Sequence, residues 1–156
     1  MAFDAPSLKG RALRLLGRRE YSRFELERKL TPYEEEPGTL AAALDDLQAK
    51  GFISEQRVLE SVVNRRSGKL GVTRIKQELL GKGLAPQAVA AAVADLRGTE
   101  LERAQTVWQK KFGVSAVDAQ SLGKQMRFLA ARGFDGDVIR RVLTLACDDL
   151  PINPQE

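Results

Sequence analysis

The sequence predicts an all-α protein of three tandem three-helix repeats, forming an elongated, curved molecule. Good helix formers (Leu, Ala, Arg, Glu, Lys, Gln) dominate the 156 residues. Long runs of Val, Ile, Thr and Tyr with alternating polarity are missing, so few or no strands are expected. Apolar residues also recur at helical spacing, and that spacing itself repeats. Leu40, Leu44 and Leu47 fall at i, i+4 and i+7, as do Val89, Val93 and Leu96, and then Ile139, Leu143 and Ala146. The step is 49 residues from Leu40 to Val89 and 50 from Val89 to Ile139. Matched positions precede each set: Leu30, Leu79 and Leu129; Leu26, Ile75 and Gln125; and Leu13, Val62 and Phe112. Gln125 is the polar intruder, and Leu122 and Met126 are expected to supply the apolar face beside it.

The repeat places helices at 7–18, 22–31 and 39–50, at 54–68, 73–82 and 86–97, and at 99–112, 118–132 and 135–147. Ser22, Thr39, Ser54, Thr73 and Thr99 read as N-caps, and Thr99 with Glu102 as a capping box. Pro86 suits a first helical turn. Gly51, Gly83, Gly98, Gly113 and Gly133 read as stops. The modules then span 1–52, 53–98 and 99–150, followed by a tail at 151–156. A unit of about 50 residues buries little surface alone, so stacked neighbours must stabilise one another, which predicts the elongated shape.

Charge and composition exclude several function classes. Twenty-five Lys and Arg face 21 Asp and Glu, a net charge of +4, mildly basic. There is no histidine, which removes the commonest general base and metal ligand. Catalysis, metal and cofactor are therefore not expected. One cysteine, Cys147, excludes an internal disulfide framework and fits a reducing cytoplasm. Met1–Gly10 lacks a signal-peptide core and no stretch approaches membrane-spanning length, so a cytoplasmic monomer without membrane contact is expected.

Several side chains invite a functional reading. Cations cluster at Arg11, Arg14, Arg18, Arg19 and Arg23, and again at Arg65, Arg66, Lys69, Arg74, Lys76 and Lys82. Solvated faces are the usual fate of such charges, but Arg predominates and makes bidentate pairs with carboxylates and phosphates. Arg65 and Lys69 share a face if their helix persists. Tyr21 and Trp108 are candidates for base stacking; the spacing of Trp108 from Leu101 and Ala104 favours core packing, and Tyr21 is open. Cys147 has no base beside it and reads as inert. Glu34-Glu35-Glu36 point in different directions and read as a solvated acidic loop. Gly81-Lys82-Gly83 lacks the strand and the Ser/Thr of a phosphate loop.

The chain also resembles a known family. Ala12-Leu13-Arg14-Leu15-Leu16 with Arg18-Arg19-Glu20-Tyr21-Ser22-Arg23, Gly51-Phe52-Ile53-Ser54-Glu55, Gly71 to Leu79 with Lys82-Gly83-Leu84, and Phe128-Leu129 with Arg132-Gly133-Phe134 resemble, in order, stretches of the RecX proteins. The junction Ser54-Glu55-Gln56-Arg57-Val58 and the insert Tyr33-Glu34-Glu35-Glu36-Pro37 depart from that pattern. The resemblance implies a regulator that lies in the groove of the RecA–single-stranded-DNA filament and inhibits ATP hydrolysis, strand exchange and coprotease activity. The partner-binding candidates, toward RecA or DNA, single- or double-stranded, are Arg18, Arg19, Arg23, Arg65, Arg66, Lys69, Arg74, Lys76 and Lys82. The rivals are a stand-alone DNA-binding protein and a helical adaptor with another partner. Third helices that begin Thr39-Leu40-Ala41-Ala42 and Ala85-Pro86-Gln87-Ala88 are poor equipment for reading bases.

Overall fold

A computed structural model describes residues 5–148, and the expected tail at 151–156 lies outside them. Eight α-helices and one 3-10 turn, with no strand, make up the described residues: α1 (Leu8–Leu16), α2 (Arg23–Leu30), the turn Thr31–Tyr33, α3 (Thr39–Ala49), α4 (Glu55–Arg66), α5 (Val72–Gly81), α6 (Pro86–Lys111), α7 (Ala119–Ala131) and α8 (Gly136–Asp148). The chain forms two compact units. One comprises the residues up to Val62 with Leu79–Val89, and the other Val63–Glu78 with the residues from Ala90 onward.

The sequence expects a break between 97 and 99, but α6 runs through it for 26 residues. Gly98 does not take the left-handed conformation that ends a helix, unlike Gly51, Gly83, Gly113 and Gly133. Thr99 caps nothing; its hydroxyl donates to the Leu96 carbonyl one turn back and accepts from Arg103 Nε at 3.1 Å. Thr39 is likewise the first helical residue after Gly38, and Thr73 lies inside α5. Ser22 is a true N-cap, closing a capping box with Glu25.

The first unit's core gathers Ala12, Tyr21, Leu26, Leu30, Leu40, Leu44, Leu47 and Ile53. Burying each fully enclosed leucine contributes about 1.5–3 kcal/mol. The repeat therefore shows as shared burial at Leu30, Leu79 and Leu129 and at Leu40, Val89 and Ile139. It slips at Leu13, which is exposed while Ala12 takes the inward position. The second core holds Ala104, Val107, Trp108, Leu129, Phe134, Ile139, Val142 and Leu143. Gln125 itself faces inward, and Leu122 and Met126 are exposed, the reverse of the expectation. Trp108 supplies the reason: its indole N–H donates to Gln125 Oε1 at 2.9 Å, while Gln125 Nε2 donates to the Val114 carbonyl at 3.1 Å.

Each unit contains one version of the same joint. In the first, the Ser22 hydroxyl at the start of α2 donates to the Lys82 carbonyl at 2.6 Å. In the second, the Gly71 N–H at the start of α5 donates to the Arg132 carbonyl at 2.8 Å. Each acceptor precedes a left-handed glycine, Gly83 or Gly133, so the neighbour's helix start satisfies a carbonyl left over where a helix ends. The approach is close enough to require glycine. A Cβ on Gly83 would stand 2.6 Å from Phe24 Cβ, and one on Gly71 would overlap the backbone of Gly133 and Phe134.

Candidate partner-binding site

The nine candidate cations sort by what they already hold. In the first unit, Arg19 pairs with Glu25 at 2.8 Å and stacks over the buried Tyr21 ring at 3.6 Å. Burial alone would lower the Arg19 pKa; Glu25 outweighs it and the net shift is upward. Tyr21 is thus a packed aromatic with its ring face covered, not an open stacking platform. Arg23 binds Asp45 at 2.6 Å and Glu27 at 3.1 Å and donates to Gln48 and to the Ala41 carbonyl. The Asp45 hydrogen bond is the main cause of its raised pKa. Lys82, largely buried, reaches both Glu25 oxygens at 3.2 Å. Burial pushes the Glu25 carboxyl up, but Arg19, the Ser22 N–H and Lys82 together hold it below the ordinary carboxylate value. Arg19, Arg23 and Lys82 therefore serve the fold of this unit. Arg18 is exposed and carries no ion pair among the described residues.

In the second unit, Arg66 makes a forked contact with Glu78, at 3.2 and 3.4 Å. Arg74 donates to the Ala131 carbonyl at 2.8 Å as part of the joint. Arg65, Lys69 and Lys76 are exposed and unpaired among the described residues. Arg65 and Lys69 do not share a helical face, because α4 ends at Arg66 and the chain turns there, with Lys69 N–H and Leu70 N–H both reaching the Arg66 carbonyl.

Two residues that the sequence did not single out hold this turn in place. Arg103, on α6, donates to the carbonyls of Ser67 at 2.8 Å, Leu70 at 2.9 Å and Leu96 at 3.0 Å. Its burial lowers its pKa, partly offset by Glu100. Glu100 is buried, and one of its oxygens accepts the Val72 and Asp135 N–H groups, each at 3.3 Å. The signal was present as a charged pair at i, i+3 on α6, but the expected helix break concealed it. The result is a turn of fixed shape that carries Lys69, with Arg65 at the end of α4 before it and Lys76 within α5 after it, all three exposed.

The other candidates fall into place. Glu34 is no solvated acid: its Oε2 accepts the Leu40 N–H at 2.8 Å, capping the start of α3, while Glu35 and Glu36 are exposed. Cys147 is exposed, 3.3 Å from the Ser115 hydroxyl. Among the described residues there is no cluster of three or more potential metal ligands, and no helix long and apolar enough to cross a membrane.

Comparison with known proteins agrees with this architecture. Residues 9–47 match the family model described as RecX, first three-helix domain, and residues 99–143 the one described as RecX, third three-helix domain. Regulatory protein RecX of Leptothrix cholodnii is 52% identical over 148 residues, covering 94% of each chain. That of Herminiimonas arsenicoxydans is 47% identical over 137 residues, covering 88% of this chain and 91% of its own. The crystal structure of RecX from Lactobacillus salivarius superposes with a TM-score of 0.72 at 19% identity, over 90% of this chain and 94% of that one, and shares the fold. With identity at this level along nearly its whole length, the chain belongs to the RecX family of regulatory proteins.

Proposed function

We propose that this chain binds the filament that RecA recombinase forms on single-stranded DNA and inhibits its ATP hydrolysis, strand exchange and coprotease activity. In that role it modulates DNA repair and the SOS response as a non-catalytic, cytoplasmic monomer. Membership of the RecX family carries the reading. The structure supports it with three exposed cations, Arg65, Lys69 and Lys76, on or beside a turn that Arg103 and Glu100 hold. A pre-shaped basic surface loses little side-chain and loop freedom on docking, so its charges act at low entropic cost. The mechanism is steric and electrostatic: the bound chain occupies space needed by incoming DNA and opposes the rearrangements of ATP turnover.

The test is RecA ATP hydrolysis on single-stranded DNA with and without the protein. Arg66 and Arg74 have internal partners, so reversing them would disturb the fold. The informative variant is Arg65→Glu/Lys69→Glu/Lys76→Glu. It should keep the helicity and melting of the wild type and inhibit more weakly. Wild-type inhibition should decline as salt rises, because exposed charges are screened over about 8–10 Å at physiological ionic strength. A wild-type protein that leaves hydrolysis untouched would sink the reading; a variant that inhibits equally at every salt would remove this surface from it.

A further inference from the structure

Along α7, Gln125 takes the inward place beside Leu129 because it serves the Trp108 indole and the Val114 carbonyl. That rotation leaves Leu122 and Met126 outside, each 39% exposed. Ala119 and Ala130 are exposed as well, so residues 119, 122, 126 and 130 form one apolar stripe at i, i+3, i+7 and i+11. The stripe runs roughly 16 Å at about 1.5 Å per residue. Just before it, Val117 in the loop at 112–118 is 93% exposed. Single exposed apolar residues are ordinary, but a contiguous set marks a place where another surface docks.

The surroundings define the occupant. At its first turn the stripe opens into a hollow of about 210 Å3 lined by Ala116, Val117, Leu122, Gln125, Leu143 and Cys147, with room for an apolar side chain. Successive helical residues turn by about 100°, so Lys124 and Arg127 border the stripe on the side away from Gln125 and Leu129. Both are exposed, and neither carries an ion pair among the described residues. The Arg127 guanidinium lies over Gly123, 3.0 Å from where a Cβ would stand, which keeps its charge at the edge of the stripe. No carboxylate lies on α7, and that of Asp118 at its start is engaged by the Ser121 N–H at 2.7 Å.

We propose that this face of α7 receives an amphipathic helix of a partner protein, its apolar residues over Leu122 and Met126 and its carboxylates toward Lys124 and Arg127. A straight stripe over three turns matches the i, i+3, i+7 anchors of a helix rather than the alternate residues of an extended strand. Small residues at 119, 123 and 130 leave room for the ridge of another helix, and methionine adapts to the shape it meets. Two unpaired cations, with no free carboxylate on the same helix, select a partner with an acidic flank. None of these residues belongs to the cation set invoked for the filament, and binding is measurable without RecA.

The experiment is fluorescence anisotropy of a labelled peptide of about 14 residues, with Leu at i, i+3, i+7 and i+10 and Glu along one flank, titrated with the full chain. Two comparison peptides carry Lys in place of Glu or Ser in place of Leu. Wild type should bind the acidic peptide at least ten-fold more tightly than either at about 50 mM salt. Leu122→Ser/Met126→Ser should weaken binding by about ten-fold or more with circular dichroism unchanged, because burying one large apolar side chain is worth about that factor. Met126→Ser alone should weaken it in the same direction. Lys124→Glu/Arg127→Glu should weaken it about five-fold at low salt, a difference that fades at about 500 mM. Leu80→Ser and Arg97→Glu/Arg141→Glu, exposed positions elsewhere, should stay within about two-fold of wild type. No binding at about 500 µM chain would overturn the proposal. So would equal binding of the lysine peptide, or losses in the control variants as large as those in the stripe. Self-association of wild type in sedimentation velocity, abolished by Leu122→Ser/Met126→Ser, would assign the face to a second copy. Tighter peptide binding by Leu150→Ser/Ile152→Ser would assign it to the chain's own residues beyond α8, and co-sedimentation with phosphatidylglycerol vesicles that the stripe variant abolishes would assign it to a membrane surface. Each of these three results overturns the proposal as well.

Discussion

A methyl group placed on Gly71 should break the second unit's joint. A Cβ there would overlap the carbonyl carbon and oxygen of Gly133 and the nitrogen of Phe134, all backbone atoms with no rotamer to swing aside. Relief requires separating the two turns, which strains the Gly71–Arg132 bond at 2.8 Å and the Thr73–Gly133 bond at 3.1 Å. Overpacking costs about 1–3 kcal/mol, and each weakened hydrogen bond about 0.5–1.5 kcal/mol. Against this, replacing glycine by alanine where φ is ordinary returns up to about 1 kcal/mol. The net loss for Gly71→Ala is therefore about 1–5 kcal/mol. Gly133→Ala should cost more, because its Cβ would meet Arg74 Cβ at 2.7 Å and its φ of +88° adds a further 1–2 kcal/mol or so. Gly81→Ala is the control: nothing lies within 4 Å of its Cβ and its φ is ordinary, so it should be neutral or slightly stabilising. Urea unfolding followed by fluorescence of Trp108, the sole tryptophan and buried in this unit's core, reads all three. Gly71→Ala within 0.5 kcal/mol of wild type, or Gly81→Ala equally damaging, would refute the joint (about the resolution expected for distant surface changes).

Gly98→Ala should raise stability by about 0.5–1 kcal/mol, because Gly98 lies inside a continuous helix with open space around it; a loss measured by thermal unfolding would restore the helix break that the sequence suggested. Gln125→Leu should cost about 1–3 kcal/mol by leaving the buried Trp108 N–H without an acceptor. Trp108→Phe/Gln125→Leu should cost less than the two single changes summed, in a double-mutant cycle. The lowered pKa of Glu25 makes its contribution to stability fully present above its ordinary value of about 4.5, and that contribution is lost as pH falls through the lower folded-state value. Glu25→Gln should thus destabilise the protein at pH 7 and flatten the decline of melting temperature below pH 4.5 in an acid titration.

Periodicity carried the sequence reading furthest where burial alone decides structure. Leu26, Leu30, Leu40, Leu44 and Leu47 are all buried as their spacing requires. It carried least where one residue type has two fates. Glycine ends a helix only by turning left-handed, as Gly133 does, and Gly98 supports helix because Leu96, Glu100 and Ala104 bury the same side of α6 on both sides of it. A threonine followed three residues later by glutamate marks a helix start only if free N–H groups exist to accept the cap, and inside α6 they are already bonded. Gln125 looked like an error in an apolar pattern because its partner, Trp108, lies 17 residues away. The basic clusters were visible as composition, but a list of charges does not contain pairings. Arg23 finds Asp45 from 22 residues away and Lys82 finds Glu25 from 57, so only the fold separates structural cations from available ones.

The two joints show what the repeat has to preserve. Both use the carbonyl before a left-handed glycine as acceptor, at Lys82 and at Arg132, yet the donor is a serine hydroxyl in one and a glycine N–H in the other. The acceptor is fixed by backbone geometry, because a helix that ends at such a glycine leaves carbonyls to be satisfied. The donor needs only to be small and to sit at the start of a second helix, where N–H groups or a capping hydroxyl are available. Side chains around the joint are then free to differ, and they do: Lys82 turns back to Glu25 in the first unit, while Arg74 crosses to the Ala131 carbonyl in the second. Conformational fixity at the turns thus comes mainly from backbone groups, supplemented by buried Glu100 and half-buried Arg103. Cations beyond these contacts, Arg65, Lys69 and Lys76 in one unit and Arg14 and Arg18 in the other, can change without loss of the fold. Substitutions there should alter partner binding while leaving melting almost unmoved, as expected for exposed positions whose side chains make no hydrogen bond or ion pair among the described residues.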